Sequence, residues 1–242
     1  MRSGTRITLI VVCLVVAAGS TGLGFWQLRR LQARRAANRV ALAGRTLPPV
    51  SLNALATHDS LNQRRARAIG TFDYSHAFFL RGRVEREAPG VHLVVPMKLD
   101  GRQEAVLVHR GFVPADDALR PDTSTIDITP GERTVEGILV AVPDDPAGAA
   151  PIVVGGDTTW HRLDRAMVRA RLPYPVLDVY LFETERESRP DAARPWPVLA
   201  SLPALDDGPH LSYMVQWWGI AAAALVFAAI FGRSQQSGDR EI

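Results

Sequence analysis

The chain has 242 residues, 47% of them apolar and 22% charged, which is enough for one ordinary core or two small ones and unlike a disordered or fibrous sequence. Its single cysteine, Cys13, excludes an intramolecular disulfide framework, a CxxC redox pair and any multi-cysteine zinc or iron–sulfur site. The formal net charge is only +3 and acidic residues interleave with the arginines of the middle, so no nucleic-acid partner is expected.

A mean hydropathy of +0.01 in a chain with a polar middle means that its apolar residues are concentrated, and they lie at the two ends. Residues 7–26 and 211–231 carry no charge, and at 1.5 Å per residue each makes a helix about 30 Å long, the thickness of a hydrocarbon core. The first run has a competing reading as a signal peptide, with Arg2 and Arg6 before an apolar stretch and Ala17-Ala18-Gly19 as a weak cleavage site. It nevertheless continues to Trp26, a residue favoured at the membrane–water boundary. For the second run the alternative is a buried core helix. Small residues four apart, Ala18 with Gly22 and Gly219 with Ala223, would let two such helices approach closely. Charge bias leaves the orientation open: Arg233 and Arg240 favour a cytoplasmic end after the second run, whereas Arg29, Arg30, Arg34, Arg35 and Arg39 would hold the other side inside.

Past Trp26 the helical pattern continues to about residue 40 with arginines suited to anionic lipid head groups, and the 44–49 stretch with Pro48-Pro49 is expected to stop it. Short runs rich in Val, Leu, Ile and Phe then predict strands at 67–74, 77–84, 91–99, 104–113, 132–142 and 176–183. Asp100-Gly101 predicts a type I′ turn joining the third and fourth of these as a hairpin. Leu163, Ala166, Met167 and Ala170 share a helical face, with Asp164 as the cap and Pro173 as the stop. The expected fold is a membrane α+β protein: two transmembrane helices flanking a mainly antiparallel β extramembrane domain with one short helix. Its expected parts are helix 7–26, juxtamembrane helix and linker 27–63, β-rich domain 64–186, proline-rich tether 187–210, helix 211–231 and a cytoplasmic tail 232–242.

Catalytic motifs are missing: there is no GxSxG elbow, phosphate loop or HExxH helix, so no catalytic residue and no enzyme activity are assigned. No two of the six histidines lie three to five residues apart, and a clustered metal site would need the fold to gather them. His92 and His109 can face each other across the hairpin, as an enzyme site if a carboxylate joins them or as ordinary strand histidines. The segment 210–218 is different. In a helix His210, Tyr213, Met214 and Trp217 fall on one face, offering an imidazole to a metal or haem iron beside aromatic surface. Equally, Ser212 can cap that helix while Tyr213, Trp217 and Trp218 form an interfacial aromatic belt. Trp26, Gln27 and Arg29 either anchor the first helix at the interface or bind acidic groups of a ligand or partner.

Four blocks in order resemble the Surfeit locus protein 1 family, membrane assembly factors for cytochrome c oxidase. They are Gly24-Phe25-Trp26-Gln27-Leu28-Arg29, then Gly70-Thr71-Phe72, then the stretch from Pro89-Gly90-Val91-His92 through Pro96 and Gly101 to 106–114, and finally His210-Leu211-Ser212-Tyr213 with Gln216-Trp217. Departures from that pattern are His109 in place of Asn, Phe112 in place of Trp, Met97 in place of Leu, and Asp207-Gly208-Pro209 ahead of the histidine where Asn is frequent. The resemblance implies a multi-pass protein of the cell (plasma or inner) membrane with its large domain on the extracytoplasmic side. It also implies transient binding of haem a, received from haem a synthase and passed to the catalytic subunit of the oxidase, with His210 as iron ligand and Trp217 and Tyr213 beside it. A haem-free scaffold that docks on an oxidase assembly intermediate is the alternative.

Overall fold

A computed structural model describes residues 3–55, 61–128, 130–144, 150–154, 156–186 and 194–233. The expected tail beyond residue 233, the first part of the tether and most of the 144–151 loop lie outside the described residues. Contacts divide the chain into a helical unit, residues 1–40 with 205–242, and a sheet unit, residues 41–204.

The helical unit pairs α1 (Ser3–Thr46) with α3 (His210–Arg233), and the two run antiparallel: Arg6 donates to the Phe231 and Gly232 carbonyls, His210 meets Gln27, and Asn38 donates to the Asp206 carbonyl at 2.8 Å. Both are long and apolar enough to cross a membrane. A core helix is excluded for α3, because Val215, Leu225, Val226, Phe227 and Ile230 are all more than half exposed. These helices make the chain a membrane protein. At 44 residues α1 does not stop at Gly44; it runs on to Thr46, where Pro48-Pro49 removes the next donors.

The two helices meet along a seam of period 3.5. Ala17, Ser20, Gly24, Gln27, Leu31 and Asn38 are buried on α1 at steps of three, four and seven. On α3 the buried residues are Ala221, Ala224 and Ala228, and the same stripe continues back through the half-buried Trp217, Met214 and His210. The expected Ala18–Gly22 and Gly219–Ala223 pairs are not the contact: a Cβ on Gly22 or Gly219 would meet nothing within 4 Å. Ala18, Gly22, Gly219 and Ala223 are all exposed, on the outer faces of the two helices.

In the sheet unit the expected strands appear as β2 (Arg65–Phe72), β3 (Phe78–Glu85), β4 (Ala88–Leu99), β5 (Ala105–Pro114), β6 (Glu132–Ala141) and β9 (Val176–Glu185). Three short strands join them: β1 (Val50–Ser51), β7 (Ile152–Val154) and β8 (Asp157–Trp160). The sheet order is β1-β2-β6-β9-β5-β4-β3-β8-β7, and β2 also pairs with the end of β4, so β2, β6, β9, β5 and β4 close into a small barrel. Pairing is antiparallel except at β1–β2, β5–β9 and β3–β8. The barrel is filled by Ala66, Ala68, Met97, Val106, Val108, Leu139 and Leu181, each large side chain contributing about 1.5–3 kcal/mol on burial. A second cluster stacks Phe78 on Trp160 at 4.5 Å under α2 (Arg165–Arg171), whose cap is the expected one: Asp164 accepts from the Met167 amide at 2.9 Å.

Two local expectations change. The β4–β5 connection is wider than a two-residue turn, with only Gly101 at positive φ and Arg102 donating to the Leu99 carbonyl, so it is not type I′, which needs two such residues. The proline-rich segment is not a free tether throughout. Val198 exchanges two backbone hydrogen bonds with Phe112, at 2.8 and 3.0 Å, and Ala200 is buried against Phe112 and Phe182. Gly111 permits that approach, since a Cβ there would lie 1.9 Å from the Val198 carbonyl oxygen.

Candidate functional site

His210 opens α3, directly after Pro209, whose carbonyl accepts from the Tyr213 amide at 3.2 Å and from the Ser212 hydroxyl at 2.8 Å. Ser212 therefore donates into the turn before the helix and is not an N-cap acceptor, correcting the expected cap. The turn is held further by Asp206, which accepts from the Gly208 amide at 3.1 Å, while Arg35 pairs with Asp207 at 2.8 Å.

The His210 ring lies in the helix seam. Its Nδ1 is 2.8 Å from Oε1 of Gln27, a side chain only 7% exposed, and its Nε2 has no hydrogen-bond partner among the described residues. Gly208, at φ +68°, sits beside that second nitrogen: a Cβ there would be 3.6 Å from Cδ2 and 3.7 Å from Nε2, so this edge of the half-buried ring faces a residue without a side chain. One turn of α1 before Gln27, Gly24 lets the indole of Trp218 in, for a Cβ there would be 2.2 Å from its Nε1. Phe25 meets Trp218 edge-on at 5.5 Å.

Of the other expected site residues, Trp217 lies half-buried on the seam and Tyr213 is exposed, off the seam, at the helix start. Trp26 faces outward with the Arg30 guanidinium 5.6 Å from its ring centre, and Arg29 is exposed. Gln27 does not face outward with them. Two residues escaped sequence reasoning, Trp218 as the filler of the Gly24 notch and Asn38 as the acceptor-seeking end of the seam. The signal for both is the 3.5-residue stripe of small and polar residues in α1, which a search for small residues four apart passes over.

In the sheet unit His92 and His109 do come together, Nδ1 to Nε2 at 2.8 Å, with His109 stacked on Phe182 at 4.2 Å. No carboxylate hydrogen-bonds either ring among the described residues, so the constellation needed for an enzyme site is not assembled there. Ser75, His76 and Asp73 also meet, but the serine and the carboxylate share the same ring nitrogen, Nδ1, which rules out a relay through the imidazole. Buried charge is concentrated at Glu183, which takes Arg110 Nε at 3.0 Å and Arg186 Nε at 2.8 Å, and Arg110 also donates to the Tyr74 hydroxyl at 2.8 Å. That network is internally paired. Among the described residues no three His, Cys, Asp or Glu side chains gather as they would round a metal ion.

Comparison with known proteins covers nearly the whole chain. A SURF1-like protein of Rickettsia bellii (strain RML369-C) is 25% identical over 237 residues, 96% of this chain and 92% of its own length. Surfeit locus protein 1 of Takifugu rubripes is 25% identical over 230 residues, covering 87% and 91%, and Surfeit locus protein 1 of Homo sapiens 27% over 231 residues, covering 88% and 73%. The family model described as the SURF1 family matches residues 14–222, from within the first membrane helix to within the last, and the chain accordingly belongs to the SURF1 family.

Proposed function

We propose that the chain is a membrane-anchored, non-enzymatic assembly factor that binds haem a transiently and presents it for insertion into the catalytic subunit of cytochrome c oxidase. Membership of the SURF1 family implies the coarser part of this, a role in cytochrome c oxidase assembly. One observation carries the rest: His210, at the end of a membrane helix, has one ring nitrogen engaged by Gln27 and the other without a partner beside a side-chain-free turn. A single imidazole nitrogen of this kind fits the donor set of a haem iron, and the exposed Tyr213 ring supplies flat surface next to it. When bound, haem would supply an iron that accepts a nitrogen ligand, carried on a flat, largely apolar ring. His210 offers the nitrogen, Trp217 stiffens the seam beneath it, and Arg29 remains free to meet acidic groups of the ligand or of a partner. One ligand and an open aromatic wall suit a cargo that must leave again. In this reading haem a synthase is the donor and the oxidase catalytic subunit the recipient. The helices lie in the plasma or inner membrane, with residues 41–204 on the extracytoplasmic side.

The Gln27–His210 bond also favours a second reading, a haem-free scaffold in which the histidine only ties α3 to α1. Purification after co-expression with haem a synthase separates the two. Carrier function is expected to give a haem spectrum that falls severalfold in His210→Ala and in Trp217→Phe. A wild-type protein with no haem leaves the scaffold, and equal occupancy in both variants removes the site from these residues.

A further inference from the structure

We infer that Gln27 is a positioning residue that fixes the proton of His210 on Nδ1 and so keeps the lone pair on Nε2, at the ring edge beside Gly208. The purpose of this arrangement rests on the haem reading above; its geometry does not. A carboxamide oxygen carries only lone pairs, so an Nδ1 held 2.8 Å from Gln27 Oε1 has to be the protonated nitrogen. Neutral imidazole has one N–H, and Nε2 is then bare. The structure sets Gln27 Oε1, not the amide nitrogen, toward the ring; turning the carboxamide over would move the proton to Nε2 and the lone pair into the seam, so the side chain's orientation decides which nitrogen is bare.

Free histidine favours the opposite tautomer, with its proton on Nε2, so the preference has to be imposed. Gln27 can impose it because it is buried in the seam and held there by its surroundings. The helices close to the required distance one turn earlier, where Gly24 admits Trp218. On the other side of the ring, Asp206 pins the Gly208 turn at 3.1 Å, so that a residue without a side chain lies beside the Nε2 edge. The resulting site prefers a Lewis acid seeking a nitrogen lone pair over a ligand that needs a donated hydrogen bond.

The test uses the full chain in detergent micelles, labelled with 15N-histidine, the His210 signals being identified by their loss in His210→Ala. The wild type is expected to show a protonated Nδ1 and a bare Nε2. Gln27→Leu should return the ring toward the Nε2–H form, and Gln27→Glu, whose carboxylate accepts the same bond, should keep it. Haemin is the binding probe: Gln27→Leu is expected to weaken its binding by about 10- to 100-fold and Gln27→Glu to retain it. Should the leucine variant not fold, Gln27→Asn, shorter by one methylene, withdraws the acceptor with less change of character, and the Phe25–Trp218 contact reports whether the helices still pair. A protonated Nε2 in the wild type, or a ring pattern indifferent to residue 27, overturns the inference. So does unchanged haemin affinity in a folded leucine variant whose tautomer has shifted. If the wild type shows the expected tautomer but takes up no haemin, the assignment stands and the haem reading fails.

Discussion

His92 and His109 share a hydrogen bond, and the outer nitrogens of the two rings, His92 Nε2 and His109 Nδ1, are buried with no partner among the described residues. Burial depresses both: His92 is lowered to about 4, with Arg83 adding to the effect and Glu85 opposing it, and His109 to about 3, where His92 adds to the burial. A histidine whose folded pKa lies below its unfolded value binds fewer protons when folded. The stability it permits is therefore present above about pH 6.5 and is lost as the pH falls from there toward 4. Thermal unfolding of the full chain in detergent should show its midpoint dropping over that window. In His109→Asn the drop should be shallower, whatever the absolute midpoint. A slope identical in the two proteins would assign the acid sensitivity elsewhere. The sequence places His109 where the family resemblance leads one to expect Asn, and the structure shows its ring meeting that of His92 beside the bulge between Leu93 and Val94. What could not be read from spacing is that the other end of the family pattern, Gln27, turns inward. A glutamine beside Trp26 at a membrane boundary reads as an anchor unless the seam of α1 has been recognised.

At the scale of elements, the six long strands were legible to within about three residues because each alternates or runs with β-branched and aromatic residues, five of them in the closed barrel and β3 beside it. β1, β7 and β8, of two to four residues, carry too few side chains to establish a period, and they exist because longer neighbours supply their hydrogen bonds. In the helical unit the seam makes a sharper prediction. Gly24→Val places a branched side chain where the Trp218 indole lies, and neither helix backbone can yield without opening the Gln27–His210 bond. Fluorescence should register a more exposed Trp218, and His210 should lose its protonated Nδ1. Gly22→Val, whose side chain would point into open space, is the control and should leave both unchanged.

For the whole molecule, the proposed topology has two crossings, with the Ser3 and Arg233 ends of the helical pair on one side of the bilayer and residues 41–204 on the other. The charge bias of the arginines following Trp26 opposes the proposed orientation, but Arg34 and Arg35 are paired with Asp206 and Asp207, which leaves Arg29, Arg30 and Arg39 of that cluster in α1. A phosphatase reporter inserted at the Asp100-Gly101 turn should be active, and a fluorescent protein fused after Arg233 should light up; the reciprocal pattern would invert the topology and with it the route by which haem could arrive. The sequence sets charge-free runs at the two ends apart from a Gly- and Pro-punctuated middle. It did not reveal where the tether is pinned, because the two bonds that hold Val198 are made by backbone atoms, which every sequence possesses.

That pinning sets the slack in the line. Val198 is stitched to Phe112, Ala200 is tucked against Phe182, and the Ser201 hydroxyl is moored to Glu85 at 2.6 Å, so the rope is lashed down along its first part. Splicing a few glycine and serine residues in after Ser201 would show how much of the histidine's usefulness depends on the length of the leash.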